Sequence, residues 1–204
     1  MKNSLMFKVF GSIAVLGAAA SIAGLGTFAT FTSSTSASQS ISSGSVSIAL
    51  GATGAATNRL TVNATNIVPG DTIQRSVDLT SSSSDPLGSV SLTTTASPTS
   101  LLDTDATNGL QMTITSCSVP WTESGTSPAF TYTCSGSTST VVASRAVIGS
   151  NISLSGLNVL SSASGTDHLR VALSLPSSAG NTFQSLSSTV TYAFTGTQRA
   201  ATNK

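Results

Sequence analysis

Along most of the chain, apolar residues alternate one for one with serine and threonine, as in SVSLTTTA at 89–96, LQMTITSC at 110–117 and STVTYAFTG at 188–196. A period of two puts one kind of side chain on each face of an extended strand, whereas a helix would scatter both kinds around its circumference. The same pattern recurs at fairly even spacing in SVSIAL (45–50), RLTVNAT (59–65), TIQRSVDLT (72–80), FTYTC (130–134), NISLSGL (151–157) and HLRVALSL (168–175). About nine strands of this kind need two sheets packed face to face, with Val, Ile, Leu and Phe turned inward. Turn chemistry separates them: IVPGD at 67–71, SSDPLG at 83–88 and PSSAGN at 176–181. In the first, Pro69 followed by Gly70 and Asp71 predicts a type II turn, because Gly supplies the positive φ. Helical periodicity is absent beyond the N-terminal segment, apart from a short turn expected near TSLLDTDA, 99–106. The fold class is all-β, an antiparallel sandwich over 45–200 with a short tail at 201–204.

Composition decides between a folded and a disordered reading. Only 7% of the residues are charged, while about a third are serine or threonine, well above the usual share. Disordered chains draw solubility from charge and lack β-branched residues; this chain does the reverse. Removing Lys2 and Lys8 from the eight basic residues leaves six against seven acids, so the chain beyond residue 31 is close to neutral. No basic stripe interleaved with aromatics occurs, which excludes nucleic acid as a partner. Near-zero charge also removes the repulsion that keeps molecules apart.

The N-terminus, MKNSLMFKVFGSIAVLGAAASIAGLGTFAT, reads as a secretory signal helix: Lys2 and Lys8, then an apolar run from Val9 to Ala29. The run is longer than the ~7–15 residues of a usual signal core and approaches a membrane span. An uncleaved leader is therefore the alternative, and the only membrane contact the sequence offers. The small-x-small rule places cleavage after Ala37, in Thr35-Ser36-Ala37.

Cys117 and Cys134 are the only cysteines. An even count in an exported chain favours a disulfide, here between flanks that read as neighbouring strands. Zinc or redox chemistry would need further ligands nearby. Trp121, inside the loop they close, either packs over the bridge or forms an exposed recognition patch.

Catalytic signatures are weak. His168 is the sole histidine and follows Asp167 directly, but adjacent residues in a strand point to opposite faces and cannot form a triad pair. There is no G-x-S-x-G elbow and no H-E-x-x-H, and one histidine cannot supply the usual zinc ligand sets. Asp103 and Asp105 resemble the opening of a calcium loop, yet Asn108 stands where the glycine belongs and no glutamate follows at the twelfth place. A surface turn is the better reading, with weak calcium binding left open. Asn63-Ala64-Thr65 and Asn151-Ile152-Ser153 fit the glycosylation sequon. No cofactor is expected.

Six stretches carry a resemblance. Gly26-Thr27-Phe28-Ala29-Thr30-Phe31, Ser42-Ser43-Gly44-Ser45-Val46-Ser47-Ile48 and Asn66-Ile67-Val68-Pro69-Gly70-Asp71 resemble the leader end and first strands of the TasA/camelysin family of exported bacterial proteins. The tail NTFQSLSSTVTYAFTGTQRA, 181–200, is similar to the family's closing strand, with Ser185 where glycine is common. CSVPWTESG and TYTCSG resemble its actinobacterial branch.

The resemblance implies a jelly-roll sandwich and a leader of residues 1–30 removed by a dedicated signal peptidase between Thr30 and Phe31, instead of after residue 37. It also implies extracellular matrix or cell-surface fibres in which one subunit's N-terminal segment adds as a strand to the next. That segment is 31–44, with Phe31, Thr32, Ser33, Ile41 and Gly44. It has no charge and no proline, the devices that natural edges use against pairing, so it suits strand addition; a disordered linker is the plain alternative. Self-association into filaments is thus the expected partnership, with accessory matrix proteins or polysaccharide beside it. The second reading is a monomeric surface adhesin or carbohydrate-binding module, and the third a camelysin-type metallopeptidase, for which the chain offers no ligand set.

Overall fold

The computed structural model describes residues 45–202 apart from Val62, Ala64 and Thr65. The expected leader, its cleavage position at Thr30 and Phe31, and the donor segment with Thr32, Ser33, Ile41 and Gly44 lie outside the described residues.

Among the described residues, ten strands and one short helix follow in order: β1 Ile48–Leu50, β2 Thr72–Ser82, β3 Leu87–Ala96, α1 Leu101–Thr104, β4 Gln111–Cys117, β5 Thr122–Thr126, β6 Ala129–Thr133, β7 Thr138–Ala146, β8 Gly149–Leu154, β9 Ser164–Ser174 and β10 Val190–Gln198. They form a five-stranded sheet, β1-β2-β9-β4-β7, a three-stranded sheet, β10-β3-β8, and a separate hairpin, β5-β6. All pairings are antiparallel.

The period-two pattern has the effect it should. Val77 and Leu79 of β2, Met112 and Ile114 of β4, and Leu169 and Val171 of β9 face Val90 and Leu92 of β3 and Ile152 and Leu154 of β8 in one buried cluster. Four of the pairings are nested: β2 with β9, β3 with β8, β4 with β7, β5 with β6. This is one long antiparallel hairpin rolled into two layers, the jelly-roll path.

Three expectations needed correction. Residues 59–65 do not form a strand among those described: Asn58 bridges Val77 and Arg59 N–H reaches Ser76 O, then Leu60 and Thr61 form a turn, and Asn63 O accepts from the Arg75 guanidinium at 3.4 Å. β7 was not expected, because Val141 and Val142 are adjacent and both buried. A shift of register between Ile114 and Thr115 accommodates the extra residue, and a bulge of that kind breaks the alternation a strand is recognised by. The two cysteine flanks are not paired neighbours either, since β4 pairs β7 and β9 while β6 pairs only β5.

Candidate assembly edges

A rolled hairpin has one closed side and one side where its two ends lie. On the closed side β7 passes into β8 through Val147 and Ile148. Thr94, buried on β3, holds that corner: its hydroxyl donates to Val147 O at 2.6 Å and accepts from Gly149 N–H at 2.9 Å. The other side is a seam between β1 and β10, each the outermost strand of its sheet.

The chain from Ser45 to Leu50 runs along residues 79–84, with Ser82 N–H bonding Ser47 O and Ser84 N–H bonding Ser45 O. Serine hydroxyls replace part of the ladder: Ser45 N–H donates to Ser84 Oγ at 2.9 Å and Ser47 N–H to Ser83 Oγ at 3.0 Å. Ile48 lies across Gly196 of β10. A Cβ there would stand 3.0 Å from Ile48 Cγ2 and 3.2 Å from Leu87 Cδ1, so glycine lets the two strands approach. On either side of Ile48, Val46 and Leu50 remain 41% and 36% exposed.

β10 pairs with β3 throughout its nine residues. Val190, Tyr192 and Phe194 are partly buried against the core, and burial pushes the Tyr192 phenol well above its ordinary range. The strand reads VTYAFTGTQ, without a charge or a proline. Edges of that length are normally blunted by lysine, proline or a covering element.

The β5-β6 hairpin docks beside β2. Glu123 takes a two-pronged contact from Arg59, Nη2 to Oε1 at 2.6 Å and Nε to Oε2 at 2.9 Å, and a third bond from the Tyr132 hydroxyl at 2.9 Å. Those bonds from Arg59 hold the Glu123 carboxyl below its usual range, while burial raises the Tyr132 phenol and lowers Arg75. Arg59 also stacks 4.6 Å from the Phe130 ring centroid. Its partner stands 64 residues away, and no sequence spacing foretells such a contact. Cys117 and Cys134 are bonded across the base of the hairpin, with Cα atoms 5.8 Å apart.

Trp121 is half-buried: its indole N–H donates to His168 O at 3.0 Å, and the Arg170 guanidinium lies 4.7 Å above the ring. His168 stands opposite Cys117 in the ladder, which places the indole beside the bridge. Pro69 and Gly70 are the central residues of a turn closed by Asp71 N–H to Val68 O at 3.0 Å, with Gly70 at φ +96°. Asp71 returns a bond from Val68 N–H at 2.8 Å.

The remaining acids are occupied by the fold. Asp103 accepts from Ser100 N–H and Ser188 Oγ, completing the capping box of α1. Asp105 takes the N–H groups of Asn108 and Thr107, which lower its pKa. Asp167 is buried and accepts from Asn158 and Val159 N–H. His168 points to the opposite face, where its Nδ1 meets Asp78 Oδ1 at 2.8 Å. Among the described residues no three His, Cys, Asp or Glu side chains stand close enough to hold a metal ion. Nor is any helix among them long and apolar enough to cross a membrane.

A family model described as camelysin metallo-endopeptidase matches residues 4–203. No curated protein matches the chain.

Proposed function

The chain belongs to the TasA/camelysin family, and from that premise we propose that it is an exported structural subunit which polymerises into extracellular matrix or cell-surface fibres. Segment 31–44 of one subunit adds as a strand to the β10 edge of the next. The observation that carries this reading is β10 itself, nine residues long, uncharged, proline-free and outermost in its sheet. An incoming strand would extend the small sheet beneath the overhanging β1 and cover the half-exposed row of Val190, Tyr192 and Phe194. Backbone hydrogen bonds would supply the affinity. Because donor and acceptor are different surfaces, the contact repeats head to tail and does not close.

The peptidase activity in the family's name asks for a metal, and the residues do not fit one. Catalytic zinc takes three protein ligands. Here the single histidine is bonded to Asp78, and Asp71, Asp103, Asp105, Glu123 and Asp167 are engaged by backbone or side-chain donors. The adhesin reading is weakened in the same way, because Trp121 already has a hydrogen bond and a stacked cation.

Electron microscopy of the mature protein, with and without residues 31–44, tests the proposal. Filaments should form with the segment and vanish without it. A synthetic 31–44 peptide added to the shortened protein should slow amide exchange in 190–198. Dispersed particles at high concentration, or protection of some other strand, would refute it.

A further inference from the structure

The three strands of the small sheet, LGSVSLTTTA, GSNISL and VTYAFTGTQ, contain no ionisable group other than the Tyr192 phenol, which is turned inward. Their inward residues enter the core, so what faces outward is a grid of small hydroxylated side chains. One row runs Thr195–Ser91–Ser153 across all three strands; the Ala193–Thr93 pair lies next to it, and Thr191 opposite Thr95 beyond that. The large sheet differs: on its outer face Asp78, His168 and Arg170 alternate with core residues. Exposed faces of soluble domains ordinarily mix charges of both signs.

We propose that this face is a lateral contact between fibres, and that its occupant is the same face of a second copy. A self-facing contact must not repel itself, and a face without charge meets that condition. Hydroxyls are both donors and acceptors, so a row of them can pair with its own copy, which a row of carboxylates or ammonium groups cannot. No aromatic ring projects from it to stack on a sugar, since Tyr192 and Phe194 turn to the core; that favours a second copy over a glycan.

The area sets the strength. Three strands about 4.8 Å apart, two of them about 30 Å long and β8 about 20 Å, offer roughly 400 Å² a side, about half of what a stable pair buries. Isolated subunits therefore stay apart, and the contact holds only where many copies are arrayed along a filament. In that respect the inference rests on the fibre reading.

Covalent display on beads supplies an array without polymerisation, so the two ideas can fail separately. Beads carrying the domain should cluster. A Ser91→Glu/Thr95→Glu face should abolish clustering, as should Ser91→Lys/Thr95→Lys. Mixing the two should restore it, because opposite faces then attract. Circular dichroism should show all three proteins folded; if a double variant unfolds, the Thr95→Glu and Thr95→Lys single variants are mixed instead. Clustering that survives the Glu face, fails to return on mixing, or requires added polysaccharide overturns the proposal. Filaments that form but do not bundle in the Glu variant would place the effect in the fibre itself, whereas bundles unaffected by it would refute it.

Discussion

Replacing Cys117 and Cys134 together by alanine should destabilise the domain by about 3 kcal/mol. The bridge spans 17 residues, and in the chain-entropy model a loop of that size removes about 3 kcal/mol of freedom from the unfolded state. The folded state should change little. Phe130 and Tyr132 stay buried at 8% and 6% exposure, and Glu123 still holds Arg59 and the Tyr132 hydroxyl. The loss should therefore appear as a lower urea midpoint with a steeper slope, since the slope reports surface exposed on unfolding and the chain without its cross-link unfolds to a more open state. For a domain of this size it corresponds to a fall of about 6–12 °C in Tm. Urea and thermal melts followed by circular dichroism measure both quantities, and reducing agent added to the parent protein should reproduce the shift. A loss below about 1 kcal/mol would refute the reasoning. So would two separate transitions, which would mean that the hairpin is tethered by the bridge and not docked by its own side chains.

Two further substitutions test single positions. Thr94→Val keeps the shape but leaves Val147 O and Gly149 N–H without the hydroxyl that serves both. A cost of about 2 kcal/mol in urea unfolding is expected, and a neutral result would mean that the β7-β8 corner is held by packing alone. Ser185 has φ +59°, a left-handed conformation that costs a side chain about 1 kcal/mol. Ser185→Gly should raise Tm by about 2–4 °C, and a fall would show that the unfolded-state entropy of glycine outweighs the strain relieved.

Strands with strict alternation, such as Leu110–Cys117 and His168–Leu175, were legible because each sits between a packed face and an open one. β7 was not, since a bulge turns both Val141 and Val142 inward. β5 was not, since TESGT has no apolar residue and is held by Glu123 and its cross-strand partners instead. Residues 59–65 have the right pattern, but after Arg59 bonds Ser76 O the chain enters a turn at Leu60 and Thr61. The turn at Pro69 and Gly70 was readable because its geometry is local. Of the assembly edges, the sequence could show that β10 lacks charge and proline. Its place at the end of a sheet depends on which strands pair across a hundred residues, and alternation carries no such information.

The position of the few charges links these observations. With 7% charged residues, the chain has little to distribute, and the structure uses it in the turns and the large sheet. Asp103, Asp105 and Asp167 satisfy backbone N–H groups at α1 and two turns. Glu123 and Arg59 dock the hairpin, Asp78 meets His168, and Asp85 meets Arg199. None falls on β3, β8 or β10. Charge on an edge or a face is what keeps natural sheets from adding to one another. A chain that concentrates its charges elsewhere leaves one whole sheet, both its β10 edge and its outer face, without that protection. The small sheet has two outer strands: β8, which the chain joins to β7 at the Thr94 corner, and β10, which meets β1 at the seam where Ser45 lies. Ser45 and the β10 edge thus share one side of the molecule, and the uncharged face lies beside them.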